Sequence, residues 1–125
     1  MTNISLSSGE WKLMKLMWTK SPRTIGEMVA ELSDDTAWTK TTVFVMLKRL
    51  IAKGAVRVDD SGRLQQYYPL IEREDASCEE TESFLSKVYD GSVGLMVSFL
   101  AERNKLSDND IAALTKIIDD AKNAK

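Results

Sequence analysis

The chain has 125 residues, a formal charge of −2, and 43% hydrophobic and 29% charged side chains, the profile of an ordinary globular protein of about one domain. It holds no histidine and a single cysteine, Cys78, which excludes a Ser-His-Asp triad, a Cys-His pair, a histidine-based metal site and an internal disulfide. Scattered single glycines make no phosphate loop, and no apolar run approaches the roughly 18 residues of a membrane span or follows a charged leader, so the expectation is a cytoplasmic non-enzyme with no cofactor, no metal and no membrane insertion.

Ser7 and Glu10 stand at capping-box spacing and open a first helix, because each side chain there satisfies a backbone N–H that the helix leaves orphaned. Trp11, Leu13, Met14, Met17 and Trp18 fall on one side of a helical wheel, Leu16 at its edge, and Lys12, Lys15 and Thr19 opposite. Ser21-Pro22 breaks the helix. Thr24 and Glu27 repeat the box for a short second helix to about Leu32, with Ile25, Met28, Val29 and Leu32 as its apolar face. Thr39 is the expected N-cap of a third helix that runs to Lys53, with Gly54 in the C′ position. Its stripe of Val43, Met46, Leu47, Leu50 and Ile51, with Phe44 beside it, is assigned to the core. Val56 and Val58 then alternate with Arg57, and Gln66, Tyr67 and Tyr68 lead to Pro69, a short hairpin around Asp59-Asp60-Ser61-Gly62-Arg63.

Helix, helix, helix, strand, turn, strand is the order of a winged helix, whose third helix lies in the DNA major groove while the hairpin touches backbone beside it. The outward face of the third helix carries Thr41, Thr42, Val45, Lys48, Arg49 and Ala52. Small and β-branched groups approach bases closely and meet the thymine methyl, while threonine hydroxyls and the Lys40, Lys48 and Arg49 cations bind base edges or phosphates. Arg63, at the hairpin tip, reaches a phosphate or a narrow minor groove. Charge follows the same division: residues 1–70 hold ten Lys/Arg against seven Asp/Glu, and residues 71–125 hold seven against twelve. A winged helix used only for protein contacts fits the same residues, and the net negative charge favours that alternative; the salt dependence of binding separates the two.

Past Pro69 the pattern is helical again. The acidic stretch 72–82, with Ser77 and Glu80 at capping-box spacing, leads into Phe84, Leu85, Val88 and Tyr89, and Gly91 stops the helix. An apolar segment follows over 93–100, and Ser107 and Asp110 open a last helix in which Ile111, Leu114, Ile118 and Ala121 recur every three or four residues. About 55 residues in short helices bury too little surface to stand alone, and a partner subunit is the usual remedy. The expected architecture is mainly α with a small β-hairpin: a winged helix-turn-helix over residues 1–70 and a helical dimerisation domain over 71–125. Its interface residues are Phe84, Val88, Met96, Phe99, Leu100, Ile111, Leu114 and Ile118. The alternative arrangement packs these helices back on the N-terminal core.

The ordered set Glu10-Trp11 and Met14, Trp38-Thr39 and Thr42, Leu47, Arg49-Leu50 and Lys53-Gly54, Gly62-Arg63, and Tyr68-Pro69 resembles the penicillinase repressor family. The likeness continues through Phe84-Leu85, Tyr89-Asp90-Gly91, Met96-Val97 and Leu106-Ser107. It implies a homodimeric winged-helix repressor on a two-fold symmetric operator, with DNA contacts at the start of the third helix and in the wing. Those contacts map here to Thr39, Lys40, Thr41, Thr42, Val45, Arg49 and Arg63. The chain departs from the family pattern in placing Thr41 where a lysine is frequent and Lys40 where proline is common. In antibiotic-resistance members, signalling from a membrane sensor leads to cleavage of an Asn-Phe bond in the dimerisation domain. An ungapped count puts that bond at Phe99-Leu100, and no Asn-Phe pair occurs in this chain. A related copper-responsive branch carries a C-terminal cysteine cluster; residues 119–125 hold none, so thiolate sensing of copper is not expected.

Overall fold

Capping boxes start three of the six helices in the computed structural model, which describes residues 4–124. The first, α1, runs Ser8–Thr19: Ser7 Oγ accepts from the Glu10 N–H at 3.2 Å and Glu10 Oε1 accepts from the Ser7 N–H at 2.8 Å. Helix α2, Ile25–Glu31, starts from the equivalent Thr24–Glu27 exchange. Helix α3, Lys40–Ala52, starts behind Thr39, whose hydroxyl accepts from the Thr42 N–H at 3.2 Å. It ends in a Schellman turn, with the Gly54 N–H on Ile51 O at 3.0 Å and the Ala55 N–H on Leu50 O at 2.9 Å. Gly54 has a φ of 82°, a conformation any L side chain would occupy at a cost of about 1 kcal/mol or more. The turn hands the buried Ala55 and Val56 directly to the sheet.

Strand β1, Val56–Asp59, pairs antiparallel with β2, Gln66–Pro69, in the register Val56↔Pro69, Arg57↔Tyr68, Val58↔Tyr67 and Asp59↔Gln66. A third piece of backbone joins them. Arg23 donates its N–H to Tyr67 O at 3.1 Å and accepts from the Tyr67 N–H at 2.8 Å. The Ser21-Pro22 segment therefore does more than break α1: it leads into a rung that holds the α1–α2 connection against the base of the hairpin. The buried Arg23 guanidinium is itself held by Lys20 O at 2.6 Å and by an ion pair with Glu31.

One apolar core gathers these elements. It contains Leu13, Met14 and Met17 from α1, Met28 from α2 and Leu32 at its C-cap, Val43, Leu47 and Leu50 from α3, and Val56 and Tyr67 from the hairpin. Each such side chain contributes roughly 1.5–3 kcal/mol on leaving water. Trp38 is half-buried against this core, where it and Met46 crowd Gly9 of α1. Phe44 departs from its expected core position: it is 39% exposed, because it lies at the edge of the wheel and turns toward the wing.

Helix α4 is continuous over Arg73–Tyr89. Ser77 and Glu80 lie inside it and cap nothing, since i,i+3 spacing recurs within any helix as well as at its start. The chain divides after Glu80 into two compact units. The first unit extends beyond residue 70 because Trp18 Nε1 donates to Ile71 O at 2.8 Å and Ala76 is buried.

The second unit holds the end of α4, then α5, Val93–Glu102, capped by Ser92 Oγ at 3.1 Å from the Leu95 N–H. Helix α6, Asp108–Asn123, follows behind the Ser107–Asp110 capping box. Phe84, Tyr89 and Phe99 form an aromatic run with centroids 5.9 and 6.3 Å apart. Among the described residues of this unit none is buried, and Phe84, Val88, Val93, Leu95, Phe99, Ile111, Ile117 and Ile118 are all exposed.

Candidate nucleic-acid interface

The Thr39 cap fixes where α3 begins and so which residues its first turn presents. Thr41, Thr42, Val45, Lys48 and Arg49 are all exposed, while Val43, Leu47 and Leu50 on the other side are fully buried. No acidic residue occurs in α3. The two functions of the helix are thus separated by side: one anchors, the other is free to meet a polyanion. Thr39 is exposed but committed, since its hydroxyl serves the cap and also lies 3.2 Å from the Thr42 hydroxyl. A hydroxyl pair of this kind retains acceptor capacity for an outside donor. Lys48 stands with Nζ 5.5 Å from the Phe44 ring centroid, which holds its ammonium over the outer face of the helix.

The start of α3 and the wing enclose a cleft of about 530 Å³, within the size range of a ligand-sized concavity. Lys40 and Thr41 line it from the helix, Arg63, Leu64 and Gln65 from the wing, with Thr24, Ile25 and Gly26 behind and Phe44 between. Its lining includes two cations and no acid. The wing tip is internally braced: Asp59 Oδ1 accepts from the Ser61 N–H at 3.0 Å and the Ser61 hydroxyl at 2.7 Å. The Ser61 hydroxyl and backbone N–H together hold the Asp59 carboxyl below its ordinary value. That carboxylate is engaged in the turn, which leaves Arg63 exposed at the same tip. Arg57 packs its guanidinium 4.0 Å from the Tyr68 ring centroid on the exposed side of the hairpin.

The angle of α3 is secured from behind by Lys53, which donates to Glu10 Oε1 at 2.6 Å and to Ser5 O at 2.8 Å. Burial pushes the Glu10 carboxyl up, but the Lys53 and Ser7 hydrogen bonds and the Lys53 charge outweigh it and hold the group below its ordinary value. A carboxyl whose folded pKa lies below its unfolded one stabilises above the unfolded value, and that stabilisation disappears as pH falls through the folded one. Glu10→Gln is therefore expected to destabilise the protein at neutral pH and to converge on the parent in acid. Melting temperatures measured across that range check this; a gap that stays constant with pH would contradict it.

The expected contacts Lys40, Thr41 and Arg63 are brought together around the cleft, and Thr42, Val45, Lys48 and Arg49 share the exposed face of α3. Thr24, Phe44 and Leu64 line the cleft without having been expected there. An isolated leucine in the polar run Ser61-Gly62-Arg63-Leu64-Gln65 was the one available signal. In the second unit Met96, Leu100 and Leu114 are half-buried, while Phe84, Val88, Phe99, Ile111 and Ile118 are exposed. The Phe99-Leu100 bond lies inside α5, where Phe99 O accepts from the Arg103 N–H at 3.2 Å. Cys78 is exposed on α4. No helix among the described residues is long and apolar enough to cross a membrane.

Three helices, a hairpin wing and an acid-free exposed third helix define a winged-helix DNA-binding protein. The penicillinase repressor family profile matches residues 6–120. The penicillinase repressor of Bacillus licheniformis is 35% identical over 120 residues, covering 96% of this chain and 94% of the relative. The methicillin resistance regulatory protein MecI of Mammaliicoccus sciuri is 28% identical, covering 90% and 92%. Among solved structures, the DNA-binding domain of the repressor BlaI superposes with a TM-score of 0.52 at 37% identity, covering 60% of this chain and 93% of that one. The Bacillus licheniformis BlaI monomer in complex with the blaP half-operator gives the same TM-score of 0.52 at 36% identity. The chain belongs to the penicillinase repressor family, a family of DNA-binding transcriptional repressors and not of enzymes.

Proposed function

We propose that this repressor acts in the cytoplasm as a homodimer on a palindromic operator, each protomer placing α3 in a major groove and its wing beside it. The observation that carries this is the exposed, acid-free face of α3 running into a cleft lined by Lys40 and Arg63. Thr41, Thr42, Val45, Lys48 and Arg49 contact base edges and neighbouring phosphates; Thr39 contributes through the cap and its remaining acceptor capacity. The second unit supplies the dimer contact, which sets the half-site spacing near a whole number of turns of about 34 Å. Its unburied Phe84, Val88, Phe99, Ile111 and Ile118, with Met96, Leu100 and Leu114 beside them, support that role. BlaI in complex with a half-operator, as a monomer, supports the division of labour between reading DNA and dimerising.

Release from DNA follows from separating or cutting this dimer, by a signal that a membrane sensor and protease pathway supplies. Cleavage at Phe99-Leu100 requires α5 to open first, because a protease takes its substrate extended and this bond is helical. Sequencing fragments retained from sheared genomic DNA of the source tests the operator: enriched promoter fragments sharing a palindrome are the expected result. Arg49→Ala is expected to weaken binding to such a fragment by roughly 1–3 kcal/mol while leaving the dimer intact. Unchanged affinity in a mobility-shift titration would remove Arg49 from the interface. Absence of a negative slope of affinity against salt would replace the DNA reading with a protein-contact one.

A further inference from the structure

An exposed leucine at a wing tip has no role in the fold. Leu64 is 64% exposed, outside the core, and flanked by Arg63 and Gln65. Phe44 is likewise exposed on its side of the cleft, and Ile25 behind it is half-buried. These three supply the apolar part of the cleft lining, beside the polar Lys40, Arg63 and Thr41. A phosphate alone asks for the polar part and not the apolar one. A sugar–phosphate strand asks for both, because its deoxyribose presents C–H faces between successive anions.

Resting on the DNA reading above, we infer that one operator strand runs through this cleft, with Leu64 and Phe44 packed on its deoxyribose faces while Lys40 and Arg63 neutralise the flanking phosphates. The geometry of a duplex supports the placement. With α3 in the major groove and the wing at the adjoining minor groove, the strand that separates those grooves must cross the space between helix and wing. Leu64 then acts as an affinity determinant with no electrostatic component, and Arg63 beside it as a purely electrostatic one. The apolar lining also favours deoxyribose, since a 2′-hydroxyl set against leucine and phenylalanine would lose its hydration without gaining a partner.

The test compares Leu64→Ala and Arg63→Ala on the full-length dimer, each titrated against a promoter duplex recovered from the genomic selection at several salt concentrations. Leu64→Ala is expected to weaken binding about ten-fold with an unchanged salt slope, as removal of apolar area from the interface should. Arg63→Ala is expected to flatten the slope by about 0.9 for each phosphate that the arginine neutralises. Melting temperatures should be unaffected in both, because both side chains are exposed. Parental affinity in Leu64→Ala, or a slope that flattens as in Arg63→Ala, would overturn the inference while leaving the repressor reading in place. Parent protein that retains no duplex at low salt would overturn both.

Discussion

The double substitution Leu114→Asp and Ile118→Asp is expected to convert the proposed homodimer to a monomer and lower its affinity for a full operator by roughly 10²–10⁴-fold. The size of the effect comes from effective concentration: with one protomer bound, the second half-site is engaged as an intramolecular step, and that advantage disappears when the tether is cut. Leu114 and Ile118 lie on one stripe of α6 with Ile111, and Ile118 is 53% exposed within the isolated chain. A contiguous apolar face of this kind marks an association surface, and burying a carboxylate against a partner's identical stripe is strongly unfavourable. None of these residues belongs to the core of the first unit, so each protomer keeps its reading head. Sedimentation equilibrium gives the mass, and titrations on full and half operators give the affinities; the half-site affinity should stay near that of the parent. A double variant that remains dimeric at micromolar concentration would place the interface elsewhere than on α6.

The fold was legible where local chemistry dictates geometry. The Ser7–Glu10, Thr24–Glu27 and Ser107–Asp110 exchanges, the Thr39 cap and the glycine at position 54 each bind a backbone group that has few other partners, and all form as their spacing predicts. Legibility failed where one pattern serves two situations. Ser77 and Glu80 have capping-box spacing but sit within α4, because the flanking residues continue the helix on both sides. Pro69 does end the hairpin, yet the first compact unit continues to Glu80, because Ile71 and Ala76 still have core and backbone partners to satisfy. The Arg23–Tyr67 rung involves only main-chain groups and leaves no side-chain signature at all.

The interface was legible in the same uneven way. The outward residues of α3 follow from the helical period alone, since assigning Val43, Leu47 and Leu50 to the core leaves Thr41, Thr42, Val45, Lys48 and Arg49 outside. Phe44 sits at the boundary between those faces, where a wheel cannot decide, and hydrophobicity argued for the wrong side. Leu64 stood out only as a lone leucine in a polar run, because the residues that line the cleft with it lie about twenty or more positions away, in α3 and at the start of α2.

Leu47→Ala carries the largest expected cost to stability, roughly 2–5 kcal/mol, and it is informative because of what it should leave alone. Leu47 is fully buried at the centre of α3 and belongs to the core that joins all three N-terminal helices to the hairpin. Deleting its side chain forfeits the transfer energy and leaves a cavity that neighbours fill only in part. Against a total of about 5–15 kcal/mol for a small domain, that lowers the melting temperature by something on the order of 10–30 °C. Leu47 touches no DNA in the proposed complex, so below the melting transition the variant should bind its operator with nearly parental affinity. Saturating operator should also restore part of the lost stability, by about 2.7 kcal/mol at a hundred-fold excess over Kd. Arg49→Ala, two residues along, should show the reverse: parental melting and weakened binding. Calorimetry paired with low-temperature titrations separates the two. If Leu47→Ala lost affinity while fully folded, the anchoring and reading faces of α3 would be coupled, and the separation of roles inferred from their burial would be wrong.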